Sequence, residues 1–206
     1  MAEVIKDGST GDTLKITDSN RASVDGIVAP VASELSRLGK LFGTVTGSVS
    51  LTGSESLSPM LWLQCDDPDN DFFIEKLIYG WDGGTSSRNT TVLAFIKYQS
   101  TEPSGAQTDA APAIENIKPS GPASAITDTK ATALKWDGTG SSGMTGGTGG
   151  YLQIPNRIAI GNTSIPIEGQ IILGQGDTMQ IEVTPDEAGL FNAAIVYYKV
   201  PVGGRL

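Results

Sequence analysis

The sequence predicts an all-β protein, most simply a jelly-roll-like antiparallel β-sandwich with an extended N-terminal arm. Three observations lead to this fold class. About eight segments alternate apolar and polar side chains with a period of two, which is typical of β-strands. Glycine, proline and aspartate separate these segments, as they do in turns. Only one short stretch of the chain has the pattern of a helix.

Residues 1–43 differ from the rest and are predicted to form the arm. Turn signals lie only a few residues apart, from Asp7-Gly8 to Asp25-Gly26, and the apolar pieces between them are too short for a core. One short helix is expected over 33–42, with Ser33 as its N-cap and Gly43 just past its end. Two interpretations stay open: a disordered leader, or an arm that orders against a partner subunit, which we favour.

Residues 44–206 are predicted to form the sandwich. The first strand covers 44–51, where apolar residues and glycine alternate with threonine and serine. The next strand, 59–65, leads into an acidic turn at 66–71. Residues 72–81 are apolar on both faces, which predicts a central strand. A further strand is expected at 90–98.

Two long loops are predicted after these strands. Residues 99–128 lack periodicity and contain four prolines, and residues 138–150 contain seven glycines in thirteen positions. The remaining strands are predicted at 131–136, 151–160, 164–173, 178–183 and 193–200.

The composition excludes or disfavours several functions. The chain has no histidine, so it cannot form a Ser-His-Asp triad or an imidazole metal site. The lone Cys65 cannot form an internal disulfide or a cysteine zinc site. With 23 acidic and 14 basic residues, the net charge of −9 disfavours nucleic acid as a partner. No apolar run reaches the roughly 20 residues of a membrane span, and the N-terminus lacks a signal-peptide pattern. We therefore expect no membrane association and synthesis in a reducing cytosol.

Two local motifs resemble ligand sites but lack essential parts. The glycine spacing of a dinucleotide site occurs at 138–143, yet the residues that follow are poor helix formers. Three aspartates alternate over 67–71 as in a calcium loop, but Phe72 and Ile78 stand where an EF-hand needs glycine and glutamate. A solvated hairpin turn is the favoured interpretation of 67–71, and a different type of calcium site stays open. Since no carboxylate pair is singled out as a tuned acid and base, the sequence predicts no enzyme and no cofactor.

Aromatic residues offer one further candidate site. Trp136 and Tyr151 flank the glycine-rich loop and could form a sugar-binding surface. Ordinary packing inside the protein is the favoured interpretation of both side chains.

Three segments of the chain resemble a family of virion structural proteins of tailed bacteriophages. The first segment resembles a leader found near the start of such proteins. The second segment resembles their paired strands around an acidic turn, and the third resembles the stretch before their closing strand. These segments are Asp7-Gly8-Ser9-Thr10-Gly11 with Leu14-Lys15-Ile16, Asn20-Arg21 and Val24; residues 55–63 with 73–78; and residues 165–167 with 171–177 and 181–185.

The resemblance implies a non-enzymatic subunit of a phage virion, made in the host cytoplasm. The leading hypothesis is a decoration or cement protein that binds the head exterior through its arm. Its partners would be the major capsid protein or other virion subunits, and we expect a homo-oligomer, namely a trimer. The residues expected to contact the partner are Asp7, Gly8, Gly11, Lys15, Asn20, Arg21 and Val24. The alternatives are a tail, collar or vertex protein that anchors a fibre, and a receptor- or glycan-binding module.

Overall fold

A computed structural model describes residues 5–6, 13–16, 22–23, 36, 38–83, 91–98, 114–116, 128–136 and 156–203. The chain divides into two compact units, Met1–Val31 and Ala32–Leu206. The described residues form antiparallel β-sheets, so the predicted all-β fold class is confirmed. The division lies before the end of the predicted arm at residue 43, and the jelly-roll connectivity stays a prediction.

The first unit contains a small antiparallel sheet. Its strands are β1 (Ile5–Lys6), β2 (Thr13–Ile16) and β3 (Ala22–Ser23), with β2 in the middle. The short strands agree with the short apolar pieces of the sequence, which can pair locally but provide little apolar surface to bury.

The described strands of the second unit form two larger sheets. In chain order the strands are β4 (Leu41–Val45), β5 (Val49–Thr52), β6 (Ser58–Cys65), β7 (Asn70–Gly83), β8 (Thr91–Tyr98), β9 (Glu115–Asn116), β10 (Ala131–Lys135), β11 (Asn156–Ala159), β12 (Gly161–Pro166), β13 (Ile172–Leu173), β14 (Thr178–Pro185) and β15 (Ala188–Pro201). One sheet has the order β10-β6-β14-β8-β11. The other has the order β12-β7-β15-β4-β9, with β13 also paired to β7 and β5 to β15.

Side chains from both sheets of the second unit share one hydrophobic core, as in a β-sandwich. From the first sheet, Leu61 and Ile181 are paired across β6 and β14, and both are fully buried. From the second sheet, Leu77 and Ile195 are paired across β7 and β15, and both are likewise buried within the same cluster. The long strand β7 lies between β12 and β15, so the predicted central position of 72–81 is confirmed.

Two predicted strands are each divided in the structure. The strand predicted over 44–51 is wrong as a single element, because β4 ends at Val45 and β5 begins at Val49. Gly47 lies between them with φ of 72°, a conformation that favours glycine and interrupts an extended strand. The strand predicted over 164–173 is divided into β12 and β13 by a turn in which Glu168 and Gly169 have positive φ.

The helix predicted over 33–42 is wrong at its C-terminal end. Leu41 and Phe42 belong to β4, and Phe42 pairs with Tyr197 of β15. Before this strand, the amide of Gly39 donates a hydrogen bond to the carbonyl of Ser36, 3.0 Å away, and closes a turn. Burial of Phe42 in the core therefore outweighs its helical spacing with the preceding leucines. Residues 33–35 lie outside the described residues.

Candidate functional site

Of the residues expected to contact a partner, the structure describes Lys15. Lys15 lies on β2, where its backbone pairs with Ser23 of β3. The others lie outside the described residues: Asp7, Gly8, Gly11, Asn20, Arg21 and Val24.

Of the two aromatic residues considered for a sugar-binding surface, Trp136 is described by the structure. Trp136 is fully buried within the hydrophobic core, and its amide donates to the carbonyl of Met60. An indole with no exposed surface cannot stack on a sugar, so packing is confirmed as the role of Trp136. Tyr151 lies outside the described residues, as does the glycine-rich stretch 138–150.

The acidic turn contains a buried carboxylate, contrary to the solvated hairpin favoured from the sequence. Asp67 is only 3% exposed, whereas Asp69 is exposed. Within the turn, the Asp67 carboxylate accepts hydrogen bonds from the amide of Asp69 and from Nδ2 of Asn70. No group of three or more potential metal ligands is assembled among the described residues.

The Asp67 carboxylate belongs to a buried cluster of charged and polar side chains, which we call the Lys199 site. It consists of Lys199, Asp67, Asp128 and Tyr197. The amine Nζ of Lys199 lies 2.9 Å from Oδ2 of Asp67 and 2.7 Å from Oδ1 of Asp128. The hydroxyl of Tyr197 donates to Oδ2 of Asp128 over 2.6 Å. The site thus places one amine against two carboxylates that are almost completely shielded from solvent.

The four members of the Lys199 site come from three parts of the second unit. Lys199 and Tyr197 are two positions apart on β15, so they point to the same side of that strand. Asp67 lies in the turn between β6 and β7, and Asp128 lies shortly before β10. The amide of Asp128 donates to the carbonyl of Ile114, and the amide of Lys130 donates to Oδ1 of Asp128. These bonds fix the orientation of the Asp128 carboxylate.

Aromatic rings enclose the amine of the Lys199 site. Nζ of Lys199 lies 5.3 Å from the ring centroid of Phe42 and 5.1 Å from that of Phe72. Both rings stack on Tyr197, with centroid separations of 5.7 and 4.4 Å. The rings stabilise a cation through their π faces and also exclude water from it.

Several pKa values in this region are displaced. For Asp67, burial opposes ionisation, but hydrogen bonds from Lys199 and the Asp69 amide outweigh it and lower the pKa of the carboxyl. Burial, together with the neighbouring Asp128 carboxylate, raises the pKa of Tyr197, so its hydroxyl remains a donor. Burial raises the pKa of the nearby Cys65 thiol to about 11. Asp67 therefore retains its negative charge despite its burial.

A second buried polar feature lies on β14. Met179, Ile181 and Val183 face the shared core, while the alternate residues Gln180 and Glu182 are also buried and hydrogen-bond to each other. The strand that the sequence predicted over 178–183 lies within β14, and both of its faces are buried. Period-two alternation reports which residues share a face, and it does not report whether the polar face is covered.

One edge of the larger sheet is open among the described strands. Strand β12 pairs with β7 on one side, and no described strand pairs with its other side. Its residues from Gly161 to Ser164 are all exposed, and the adjacent Ile160 is 43% exposed. Residues 159–167 contain no charged side chain. We call this segment the β12 edge.

No protein-family model matches the chain, and no curated protein or solved structure shows significant similarity to it. Within the described ranges, no helix is both long and apolar enough to cross a bilayer.

Proposed function

We propose that this chain is a non-enzymatic structural subunit of a phage virion, most simply a decoration subunit on the head exterior. Three sequence segments that resemble tailed-phage virion proteins motivate the proposal. The observation that carries it is the β12 edge, because an assembling protein needs a surface that joins one subunit to the next. An exposed strand edge provides such a surface through its free backbone groups.

The β12 edge suits contact between copies of this chain because it is uncharged. The chain carries a net charge of −9, so two copies repel each other over most of their surfaces. Residues 159–167 bring no charge to a contact. Folded proteins protect exposed strand edges with lysine, proline or bulges, and within β12 only the terminal Pro166 serves this purpose.

We propose that the N-terminal unit of a neighbouring copy binds to the β12 edge. The described strands of this unit are short and bury little surface alone, so the unit would gain stability when it adds to another sheet. Repetition of this contact around an axis closes a ring, in agreement with the expected trimer. The same unit, through Asp7, Gly8, Gly11, Lys15, Asn20, Arg21 and Val24, would reach the major capsid protein or another virion subunit.

Deletion of residues 1–31 tests the proposal. This deletion follows the division between the two units, so we expect residues 32–206 to unfold cooperatively and keep their β-sheet circular dichroism. The truncated protein should be monomeric by light scattering and should not co-sediment with virions. The full-length chain is the control for both measurements. A truncated protein that still binds virions would contradict the anchoring role of the N-terminal unit.

The number of copies per particle distinguishes the head from the alternative locations. Quantitative mass spectrometry of virions should give a copy number comparable to that of the major capsid protein if this subunit decorates the head. A small multiple of three or six would instead favour a tail, collar or vertex position that anchors a fibre. Absence of the chain from purified virions would contradict the structural role altogether.

A further inference from the structure

The Lys199 site brings together the groups that form an amide bond between side chains. A lysine amine lies in direct contact with a buried carboxyl group, a second carboxylate contacts the same amine, and aromatic rings surround them. We propose that Lys199 and Asp128 condense into an intramolecular isopeptide bond, with Asp67 as the proton acceptor. The proposal does not depend on the function of the chain in a virion.

The condensation needs no oxidant, cofactor or other reactant. A proton first moves from the Lys199 amine to Asp128, which converts the ion pair into a neutral amine and a carboxylic acid. The lone pair of Nζ attacks Cγ of Asp128 and forms the C–N bond. Asp67 takes a proton from the nitrogen and returns it to the departing hydroxyl, so that the C–O bond breaks and water leaves. The product is a secondary amide, and Asp67 ends in its original state.

Burial shields both reacting groups from water. The side chain of Lys199 is 14% exposed and that of Asp128 is 2% exposed. Little water can therefore compete for the hydrogen bonds that hold the amine against the carboxyl group. The rings of Phe42 and Phe72 also limit the access of water, which would otherwise reverse the condensation.

Hydrogen-bond donors stand at both oxygens of the proposed acyl group. Tyr197 donates to Oδ2 of Asp128 over 2.6 Å, and the amide of Lys130 donates to Oδ1 over 2.9 Å. Such donors stabilise the negative charge that develops on oxygen when the amine attacks. Fixed contact between the amine and the carboxyl supplies the proximity, for which effective molarities reach about 10⁵–10⁸ M.

Asp128 and Asp67 differ in ways that assign them separate roles. Asp128 is the nearer to Nζ, and Tyr197 polarises its carboxyl group. Asp67 accepts hydrogen bonds from the Asp69 amide and from Asn70, and these hold it as a carboxylate while it contacts the amine. A group that stays ionised is a poor acyl donor and a suitable proton acceptor.

The bond would connect the two sheets of the second unit covalently. Lys199 lies near the end of β15 in the larger sheet, and Asp128 directly precedes the turn that leads into β10 in the smaller sheet. The sheets could then not separate at this end of the sandwich, even when the core is denatured. Such a bond prevents complete extension of the chain under force or heat.

The intact mass of the full-length chain under denaturing conditions tests the proposal directly. An isopeptide bond lowers the mass by about 18 Da, the mass of one water molecule. Trypsin should also fail to cleave after Lys199, and tandem mass spectrometry should find a branched peptide that joins Lys199 to Asp128. A denatured chain with the full mass and normal cleavage would overturn the proposal and leave an ion pair at this site.

Variants then separate the roles of the three residues. Lys199→Arg should keep the full mass, while the control Lys40→Arg, at an exposed lysine, should retain the loss of water. Asp128→Ala should keep the full mass; loss of water in this variant would overturn Asp128 as the acyl group. Asp67→Asn should slow bond formation at least about tenfold in a refolding time course, as expected for loss of acid–base catalysis. An unchanged rate would overturn Asp67 as proton acceptor.

Discussion

Cys65, near the Lys199 site, is shielded from solvent. Its side chain is fully buried, and burial raises the pKa of the thiol to about 11. Since the thiolate is the reactive form, Cys65 should not react with a disulfide reagent in the native protein at pH 8. In guanidinium chloride the same reagent should label one thiol per chain. The absorbance of the thiolate released by the reagent measures the labelling. Rapid stoichiometric labelling of the native protein would contradict this burial.

Two buried or close-packed glycines allow a matched comparison at the residue scale. A Cβ atom at Gly189 would lie 2.6 Å from the carbonyl oxygen of Asp82 and 2.9 Å from Cα of Gly83, so the backbone would have to move. The three atoms nearest to a Cβ atom at Gly80 all belong to the side-chain amides of Asn192 and Asn162, which can rotate away. We expect Gly189→Ala to cost about 1–3 kcal/mol of the free energy of unfolding.

Gly80→Ala is the control for this substitution, with an expected cost below about 1 kcal/mol. Both variants lie in paired strands, so they share the intrinsic effect of alanine on strand formation. Urea unfolding, monitored by tryptophan fluorescence, provides the free energies of unfolding of the two variants. Equal costs would show that the backbone contacts of Gly189 do not limit packing.

At the scale of elements, the sequence predicted strands well where both faces of a strand are determined by packing. The predicted strand 59–65 corresponds to β6, and 72–81 lies within β7. The interruption at Gly47 could not be predicted from alternation, since glycine and threonine continue the pattern through it. Beside Gly47 lies a long-range contact, in which Oγ1 of Thr46 accepts a hydrogen bond from the amide of Ala193 on β15. Such a contact is invisible in a local pattern.

The Lys199 site could not be predicted because its members are distant in sequence. Asp67 and Asp128 are 132 and 71 positions away from Lys199. One signal was present, because Lys199 follows Ala193, Ile195 and Tyr197 on the apolar side of the last strand. A charged residue on a buried face requires a partner, but the sequence does not identify it. Sequence patterns thus located many of the strands but did not predict the ion pairs and hydrogen bonds between distant residues.

The turn after β5 depends on one buried carboxylate. Glu55 is 3% exposed, and its two oxygens accept hydrogen bonds from the amides of Thr52 and Gly53 over 2.8 and 2.9 Å. Glu55→Ala would leave these donors without their charged acceptor, so we expect a loss of about 1–3 kcal/mol in the free energy of unfolding. Ser54→Ala, which removes an exposed hydroxyl from the same turn, should cost less than about 0.5 kcal/mol.

Denaturant unfolding of both variants tests this interpretation of the turn. The Glu55 variant should have a lower midpoint with an unchanged denaturant slope, as expected for a change in stability alone. A Glu55→Ala midpoint equal to that of Ser54→Ala would show that the carboxylate does not stabilise the turn.

At the scale of the whole molecule, charge and sheet edges together decide how copies can associate. Carboxylates outnumber lysines and arginines by 23 to 14, so copies of the chain carry a like net charge and repel each other. Contact between copies is then least opposed where charge is absent and backbone groups are available. The β12 edge meets both conditions, so we expect the proposed self-association to be sensitive to a single added charge there.

Thr163→Lys tests the contribution of the β12 edge to assembly. Thr163 is exposed in the middle of β12, and lysine on an edge strand opposes the approach of another strand. We expect the self-association constant of the Thr163→Lys variant to fall at least about tenfold in sedimentation equilibrium. This corresponds to a loss of about 1.4 kcal/mol in the free energy of association. Gln175→Lys adds the same charge at an exposed turn before β14 and should associate as the unmodified chain does. Since both variants reduce the net negative charge equally, a loss confined to Thr163→Lys would arise from the edge itself. Equal association of the two variants would instead place the contact between copies elsewhere on the molecule.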